Sequence, residues 1–171
     1  RTQEDLIAVV ELAAKYHIPV LPRGSGSSLA GQAIGRALIV DCSRYLNNII
    51  GSINLEEKTV TVEPGVILAD LNRVAARHGL MFGPDPASAE RATMGGVIGN
   101  NATGAHSLLY GLSVDHLESA NVILSDGSLA EWGRVDENSS SVNIRQDEII
   151  KKSLDIRKKY ESVIKEKWPK A

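Results

Sequence analysis

The sequence predicts a soluble globular chain that combines helices with β-strands, and two kinds of pattern support this prediction. Apolar residues recur at helical spacing in several segments. Between them lie short apolar or alternating segments bounded by glycine and proline, as is typical of strands. The chain has 171 residues, of which 43% are apolar and 23% are charged, so it is long enough to bury a hydrophobic core.

The first third of the chain predicts a helix followed by two strands. Thr2 with Asp5 three residues later is close to a capping box, and the periodic apolar positions after it predict a helix over residues 3–16. The segments IPVL and ALIVD are short and apolar, which predicts two buried strands. A long segment rich in glycine and serine joins them.

The remaining elements follow from turn and helix signals. Alternation around a polar turn predicts a hairpin over residues 49–62, and a periodic segment before Gly79 predicts a helix over residues 66–78. Asp126-Gly127 marks the turn of a second strand pair. After a loop or linker that begins at Asp136, residues 145–167 form a charged helical pattern, for which a solvated face is the simplest interpretation.

Composition excludes several classes of protein. A formal net charge of −2 argues against a nucleic-acid-binding protein. Cys42 is the single cysteine, so the chain cannot form an internal disulfide or a thiolate metal cage, and we expect a buried, inert thiol. The sequence contains neither a membrane-spanning apolar segment nor a signal-peptide pattern. We expect a cytoplasmic location, with peripheral membrane association of a longer protein as the alternative.

Two glycine-rich segments are the main functional signal. PRGSGSSLAGQAIG covers residues 22–35, and TMGGVIGNNATGAHS covers residues 93–107. Backbone N–H groups approach an anion closely only where side chains are absent or small. The first segment lacks the Gly-Lys-Ser/Thr of a Walker A motif and fits the dinucleotide fingerprint poorly. A flexible turn is the alternative for either segment alone, whereas the two together indicate a long ligand with several phosphates.

Four segments in order resemble the FAD-linked oxidases with a vanillyl-alcohol-oxidase-type, or PCMH-type, FAD-binding domain. They are PVLPRGSGSSLAGQ, TVTVEPGVILADLN, GPDPASAERATMGGVIGNNATGAHSLLYGLSVDHL and VILSDGS. Within that family, SSLAGQAIG, VDCSRYLNNI, GLMFGPDPAS and GNNATGAHSLLYG are most similar to the large D-lactate or D-2-hydroxyglutarate dehydrogenase-like proteins with a C-terminal iron–sulfur domain.

The resemblance implies an α+β fold, in which two α+β subdomains hold FAD between them. It covers nearly all of residues 1–135, which we therefore expect to form the FAD-binding domain, with its N-terminal edge before residue 1. Residues 136–171 are then a linker and charged helix leading toward a substrate domain outside this sequence. We expect any iron–sulfur cluster only in that further part, because the single cysteine provides no cluster-binding spacing.

The resemblance also implies a set of cofactor-binding residues. The first segment matches the pyrophosphate loop, with Arg23 at its entrance, and Pro84 matches a turn beside the cofactor. The second segment matches the wall along the ribityl chain and flavin ring, while Tyr110 and Val122 match positions near the ring and the adenine. The implied residues are Pro22, Arg23, Gly24, Ser25, Gly26, Ser27, Ser28, Leu29, Pro84, Thr93, Gly95, Gly96, Gly99, Asn100, Gly104, Tyr110 and Val122.

Each implied residue has a structural alternative. Arg23 would otherwise be a surface arginine or a partner in a structural salt bridge, the glycines would serve the packing of helix on sheet, Tyr110 would be a core residue and Val122 an ordinary strand residue. Where some relatives carry a histidine bonded covalently to the flavin, this sequence has Ser27, so we expect noncovalent FAD.

We expect the four histidines to have structural roles rather than roles in catalysis or metal binding. His17 and His78 are predicted to end helices, where a cation is favourable, while His106 and His116 are isolated in a glycine-rich stretch. The sequence therefore offers no catalytic residue and no metal site.

The implied function is oxidation of a small 2-hydroxy acid, of the D-lactate, glycolate or D-2-hydroxyglutarate class, by hydride transfer to noncovalent FAD. The substrate would bind through the further domain, the electron acceptor is not specified, and we expect this chain alone to be inactive. The same flavin domain in an oxidase of an unrelated alcohol or sugar is one alternative. A non-catalytic nucleotide-binding module is the other.

Overall fold

A computed structural model describes residues 1–135, 141 and 143–169 of the chain. Its backbone divides into two compact units, Arg1–Leu117 and Glu118–Ala171. In the part of the chain that the structure describes, the strands pair into three two-stranded sheets, two in the first unit and one in the second. The chain thus mixes helices with parallel and antiparallel strands.

The first helix, α1 (Gln3–Lys15), begins at a complete capping box. The Thr2 hydroxyl accepts a hydrogen bond from the Asp5 N–H at 3.3 Å, and the Asp5 carboxylate accepts one from the Thr2 N–H at 3.0 Å. Aspartate thus serves here in place of the glutamate or glutamine that the motif usually has. The helix prediction is confirmed to within one residue.

Strands β1 (Val20–Arg23) and β2 (Leu38–Asp41) pair in parallel, so a crossover must connect them. Residues 24–37 form this crossover without an intervening helix. The prediction that both strands are buried is wrong: the residues of β1 are half-buried or exposed, and Leu38 and Ile39 of β2 are 42% and 40% exposed. In this unit the sheet of β1 and β2 has no third strand, which leaves these side chains beside a shallow groove shared with α1.

Strands β3 (Ile49–Asn54) and β4 (Thr59–Val62) form the predicted antiparallel hairpin. Helix α2 (Leu68–Ala76) follows and ends in a Schellman motif. Gly79 has a φ of +70°, its N–H donates to the Ala76 carbonyl at 3.1 Å, and the Leu80 N–H donates to the Ala75 carbonyl at 3.1 Å. The predicted glycine stop signal is thereby confirmed.

The core of the first unit lies where α2 packs against α3 (Met94–Gly99) and the hairpin. An isolated bridge pairs Ile67 with Thr93, and the Leu68 N–H donates to the Ala92 carbonyl at 3.0 Å. The start of α3 is therefore fixed to the start of α2. The buried core residues are Val66, Leu68, Leu71, Ala92, Met94 and Val97.

Two short helices follow in the first unit, α4 (Ser107–Tyr110) and a 3₁₀ helix (Ser113–His116). In the second unit, β5 (Ala120–Ile123) and β6 (Leu129–Trp132) form the predicted hairpin around Asp126-Gly127. Gly127 takes a φ of +88°, a conformation that glycine adopts easily.

The helical pattern after this hairpin forms α5 (Ile144–Lys159) and α6 (Glu161–Lys167) rather than one continuous helix, because Tyr160 leaves the helical conformation between them. The Asn143 side chain caps α5 by accepting from the N–H groups of Arg145 and Gln146. The predicted linker falls largely on residues 136–140, which lie outside the described residues, and the domain boundary at residue 135 stays a prediction. Among the residues that the structure describes, no helix combines the length and apolar character needed to cross a membrane.

Candidate cofactor site

The first glycine-rich segment leaves the carboxyl end of β1 and forms one wall of an open groove of about 410 Å³. The opposite wall comes from residues 88–102, which precede and include α3. Ligand sites in sheets with parallel strands commonly lie beyond the carboxyl ends of the strands. The position of this groove follows that rule.

Two contacts hold the walls together at the start of the first segment. A β-carbon placed on Gly24 would overlap the side-chain oxygen of Thr93, so the Thr93 side chain packs against the backbone of Gly24 in space that a side chain at residue 24 would need. Beside it, the Ser25 hydroxyl donates to the carbonyl of Arg91. Thr93 itself is buried, with 2% exposure. The entrance of the groove is thus fixed by packing as well as by hydrogen bonding.

Gly26 has a different role from Gly24. It has a φ of +72°, which side-chain-bearing residues rarely adopt, and no backbone atom crowds its α-carbon. The Arg23 side chain lies 3.8 Å from where a β-carbon at residue 26 would stand. Glycine is needed here for the backbone conformation of the turn.

The glycines of the second segment divide into two groups. β-Carbons on Gly95 and Gly104 would overlap neighbouring atoms, those of Pro64 and the Asp85 carbonyl respectively, so packing requires glycine at both positions. A β-carbon on Gly96 would meet nothing closer than 3.5 Å, and one on Gly99 would meet nothing within 4 Å. Packing within the protein therefore does not explain glycine at these last two positions.

Arg23 lies at the groove and forms a salt bridge with Asp41, with 3.2 Å between Nη2 and Oδ2. The hydroxyl and N–H of Ser43 both donate to the Asp41 carboxylate, and with a smaller contribution from Arg23 they hold the pKa of Asp41 below its ordinary value. The structural salt bridge considered from the sequence is therefore present. It anchors the guanidinium at the groove's edge.

The turn around Pro84 packs against the end of the second segment. Pro84 is fully buried, and the Ala105 N–H donates to the Asp85 carbonyl at 3.2 Å. His106 is isolated in a glycine-rich stretch of the sequence, but in the fold its Nδ1 lies 3.1 Å from Asp85 Oδ2. The contact gives this histidine a carboxylate partner at the edge of the turn.

His116, likewise isolated in the sequence, also has contacts in the fold. Its Nε2 donates to the Tyr110 carbonyl at 2.8 Å, and its ring stacks at a tilt on Phe82 with 5.2 Å between centroids. Tyr110 is 46% exposed, so the core role considered for it does not hold. Cys42 is half-buried rather than buried, and burial raises the pKa of its thiol.

The structure brings most of the sequence-predicted residues to one groove. Those that line it are Pro22, Arg23, Gly24, Ser25, Gly26, Ser27, Ser28, Leu29, Thr93, Gly96 and Asn100. The other predicted residues of the first unit, which do not line it, are Pro84, Gly95, Gly99, Gly104 and Tyr110. Val122 lies on β5 in the second unit.

Sequence reasoning missed several residues that line the same groove. They are Ala30, Gln32, Ala33, Ser88, Ala92, Val97 and Ala102. Most are small, and most stand within a few residues of a predicted position. Gln32 was the one with a recognisable signal, because a long polar side chain is unusual in a segment otherwise made of small residues.

The chemistry of the walls suits an elongated anionic ligand. Residues 24–37 contain no acidic residue, and residues 92–105 contain no charged residue at all. Serine hydroxyls and backbone N–H groups donate hydrogen bonds to anions. Because the neighbouring side chains are small, a ligand in the groove can approach these donors closely. The groove and its two glycine-rich walls define a protein that binds a phosphate-bearing cofactor, and the residues present fit such a group.

Comparison with known proteins identifies the family of cofactor-binding proteins to which the chain belongs. The sequence profile described as the FAD binding domain matches residues 1–133. The chain belongs to this family, and FAD is the cofactor of the class.

The similar proteins include several dehydrogenases. The chain is 39% identical over 134 residues to a D-2-hydroxyglutarate dehydrogenase of Escherichia coli, covering 77% of this chain and 13% of that protein. It is 32% identical over 134 residues to the glycolate oxidase subunit GlcD of Bacillus subtilis, covering 78% of this chain and 28% of that protein. The chain thus spans less than a third of the length of these curated relatives.

Solved structures support the fold. An alkyldihydroxyacetonephosphate synthase superposes with a TM-score of 0.67 at 25% identity, covering 78% of this chain and 25% of that one. A 6-hydroxy-D-nicotine oxidase from Arthrobacter nicotinovorans superposes with a TM-score of 0.68 at 23% identity, covering 77% of this chain and 28% of that one. The predicted α+β fold of a PCMH-type FAD-binding domain is confirmed.

Proposed function

We propose that this chain is the FAD-binding part of a flavin-dependent oxidoreductase that oxidises a 2-hydroxy acid. The observation that carries the proposal is the groove between two glycine-rich walls, in which Gly96 has no packing reason to be glycine. A ligand lying against the backbone supplies the missing reason, because a side chain at that position would occupy its space. When bound, FAD supplies the acceptor for the hydride that leaves the substrate carbon.

In this proposal the first segment binds the diphosphate. Backbone N–H groups from Gly24 to Ser28 and the hydroxyls of Ser27 and Ser28 donate to phosphate oxygens. Arg23, held by Asp41, adds positive charge at the entrance. The salt bridge positions this charge before the cofactor arrives, which reduces the ordering cost of binding.

The second segment binds the rest of the cofactor. Thr93, Gly96 and Asn100 face the groove, while Gly95 and Gly104 let the surrounding turns pack closely. Pro84, Gly99, Tyr110 and Val122 remain proposed contacts for the ring and adenine ends. We also propose that the FAD-binding domain ends at residue 135 and that the protein is located in the cytoplasm.

We propose that the FAD is noncovalent, because Ser27 stands where some relatives carry a flavin-linked histidine. The test is acid precipitation of FAD-loaded protein followed by absorbance of pellet and supernatant. All flavin should appear in the supernatant. Flavin that remains with the washed pellet would contradict the assignment.

The FAD assignment itself is tested by titrating the full chain with FAD and following the quenching of flavin fluorescence. Saturable binding that Gly96→Val weakens supports the groove as the site. A chain that takes up no FAD at any concentration, yet is folded by circular dichroism, would favour the non-catalytic nucleotide-binding module.

The substrate class rests on relatives whose names refer to D-2-hydroxyglutarate, glycolate and D-lactate. It is tested on a longer protein that includes the residues following this chain, by mixing it with a panel of 2-hydroxy acids, aromatic alcohols and sugars. Bleaching of the flavin by a 2-hydroxy acid alone supports the proposal. Bleaching only by another alcohol or a sugar would favour the oxidase of an unrelated substrate, an alternative that the fold permits.

A further inference from the structure

A hydrogen bond between two side chains connects the two walls of the groove, in addition to the Ser25–Arg91 bond at its entrance. Nε2 of Gln32 donates to Oδ1 of Asn100 at 3.1 Å, across a sequence separation of 68 residues. Both residues line the groove. Gln32 lies within the exposed part of the first glycine-rich segment, whereas Asn100 directly follows α3.

The Asn100 side chain is held from the other side as well. Its Nδ2 donates to the Gly96 carbonyl at 3.0 Å, and its backbone N–H donates to the same carbonyl at 3.0 Å. These two bonds orient the amide so that its oxygen faces Gln32. The acceptor for Gln32 is therefore already in place at the end of α3.

The first glycine-rich segment has few other contacts near Gln32 that would hold its backbone in place. Gly26 and Gly31 have φ values of +72° and +85°, and a β-carbon on Gly31 would have open space around it. Between them, Leu29 is fully exposed and packs against nothing. The Ser25–Arg91 bond fixes the segment before this stretch, and the Gln32–Asn100 bond fixes it after.

We propose that Gln32 is a positioning residue for the cofactor, which acts through Asn100 to hold the first segment at the spacing from α3 that FAD requires. The inference rests on the proposed function. Without the bond, strand pairing next holds the segment only at β2, which begins at Leu38, so more of its ordering must be supplied by the cofactor when it binds. Affinity for FAD then falls because the cofactor must order this segment as it binds.

A double-mutant cycle on the full chain tests this inference, with FAD as the probe and quenching of flavin fluorescence as the measurement. Gln32→Ala should raise the dissociation constant for FAD roughly 3- to 10-fold, the range expected for one hydrogen bond. In an Asn100→Ala background the same change should have an effect below about twofold. Gln3→Ala, which removes a glutamine exposed on α1, serves as the matched control and should leave the dissociation constant unchanged.

The melting temperature of the FAD-free protein separates positioning from general support of the fold. Gln32→Ala should leave it at the wild-type value, because the bond is exposed and lies outside the core. Unchanged or tighter FAD binding, an equal effect in both backgrounds, or a lowered melting temperature of the FAD-free variant would overturn the inference. Failure of the wild-type chain to bind FAD would instead overturn the proposed function.

Discussion

At the scale of single residues, glycine serves three different purposes around the groove. Gly104 permits a close backbone approach, Gly26 permits a left-handed conformation, and Gly96 satisfies neither requirement within the protein. The sequence alone does not distinguish these roles, because it shows only that each position is glycine and not why glycine is required there. The surrounding atoms are needed to separate packing from binding.

Gly96→Val should weaken FAD binding at least tenfold and leave the FAD-free protein folded. A β-carbon fits at residue 96, and valine is no worse than glycine in a helix, so α3 should persist. The branched side chain would instead occupy groove volume. FAD titration and circular dichroism on one sample measure both effects.

Gly104→Val is the contrasting variant for the same experiment. Its β-carbon would overlap the Asp85 carbonyl, so the backbone must move, at a cost on the order of 1–3 kcal/mol or more. We expect a lowered melting temperature. Equal loss of helicity in the two variants would show that Gly96 is also a packing glycine.

The pKa of Asp41 should rise toward its ordinary value of 3.8 in Ser43→Ala. The Ser43 hydroxyl is the largest cause of the lowered pKa, and the variant removes it. A carboxylate whose pKa is lowered by folding stabilises the folded state at pH values above its ordinary pKa. This stabilisation is lost as the pH falls through the folded-state pKa. The variant should therefore lose this contribution at a higher pH than the wild type, as NMR titration of the carboxyl carbon measures.

Ser128→Ala is the matched control for this titration. Ser128 donates to Asp126 through its hydroxyl and N–H in the same arrangement, within the second unit. It should raise the pKa of Asp126 and leave that of Asp41 unchanged. If Ser43→Ala moves both carboxylates equally, the hydrogen bond is not the cause.

At the scale of elements, sequence patterns located the structure wherever the signal was local. The capping box of α1, the Schellman glycine after α2 and the Asp126-Gly127 turn depend on residues within a few positions of one another. Burial of β1 and β2 depends on what covers their sheet, so their apolar patterns were misleading. The helix break at Tyr160 has neither a glycine nor a proline to mark it.

The packing of α2 on α3 predicts a large effect for Leu68→Ala. Leu68 has 0% exposure in the core that supports the groove wall, so truncation should lower the free energy of unfolding by about 2–5 kcal/mol. Leu55→Ala, at a hairpin position with 56% exposure, should cost well under about 1 kcal/mol. Urea unfolding of the two variants gives the comparison, and similar midpoints would contradict the assigned core.

At the scale of the whole molecule, the candidate site joins segments far apart in the sequence. Gln32 and Asn100 meet although 68 residues separate them, and no periodicity or spacing rule predicts such a contact. Residue patterns alone indicated that the two glycine-rich segments together bind a long ligand with several phosphates, and the resemblance to a family gave each segment its own part of the cofactor. Residues such as Gln32 were missed because their role depends on a partner in the other segment.

The chain loaded with FAD should not oxidise D-lactate or D-2-hydroxyglutarate at a useful rate. A positioned general base typically contributes about 10²–10⁴-fold, and orientation of the substrate contributes more, but both need groups within hydrogen-bond reach of the substrate hydroxyl. The E. coli relative devotes most of its length to residues beyond those matched here. We expect the groups that bind the 2-hydroxy acid to lie in that remainder. Stopped-flow measurement of flavin bleaching, on this chain and on a longer protein, distinguishes the two cases, because rapid bleaching by this chain alone would place the substrate site within residues 1–171.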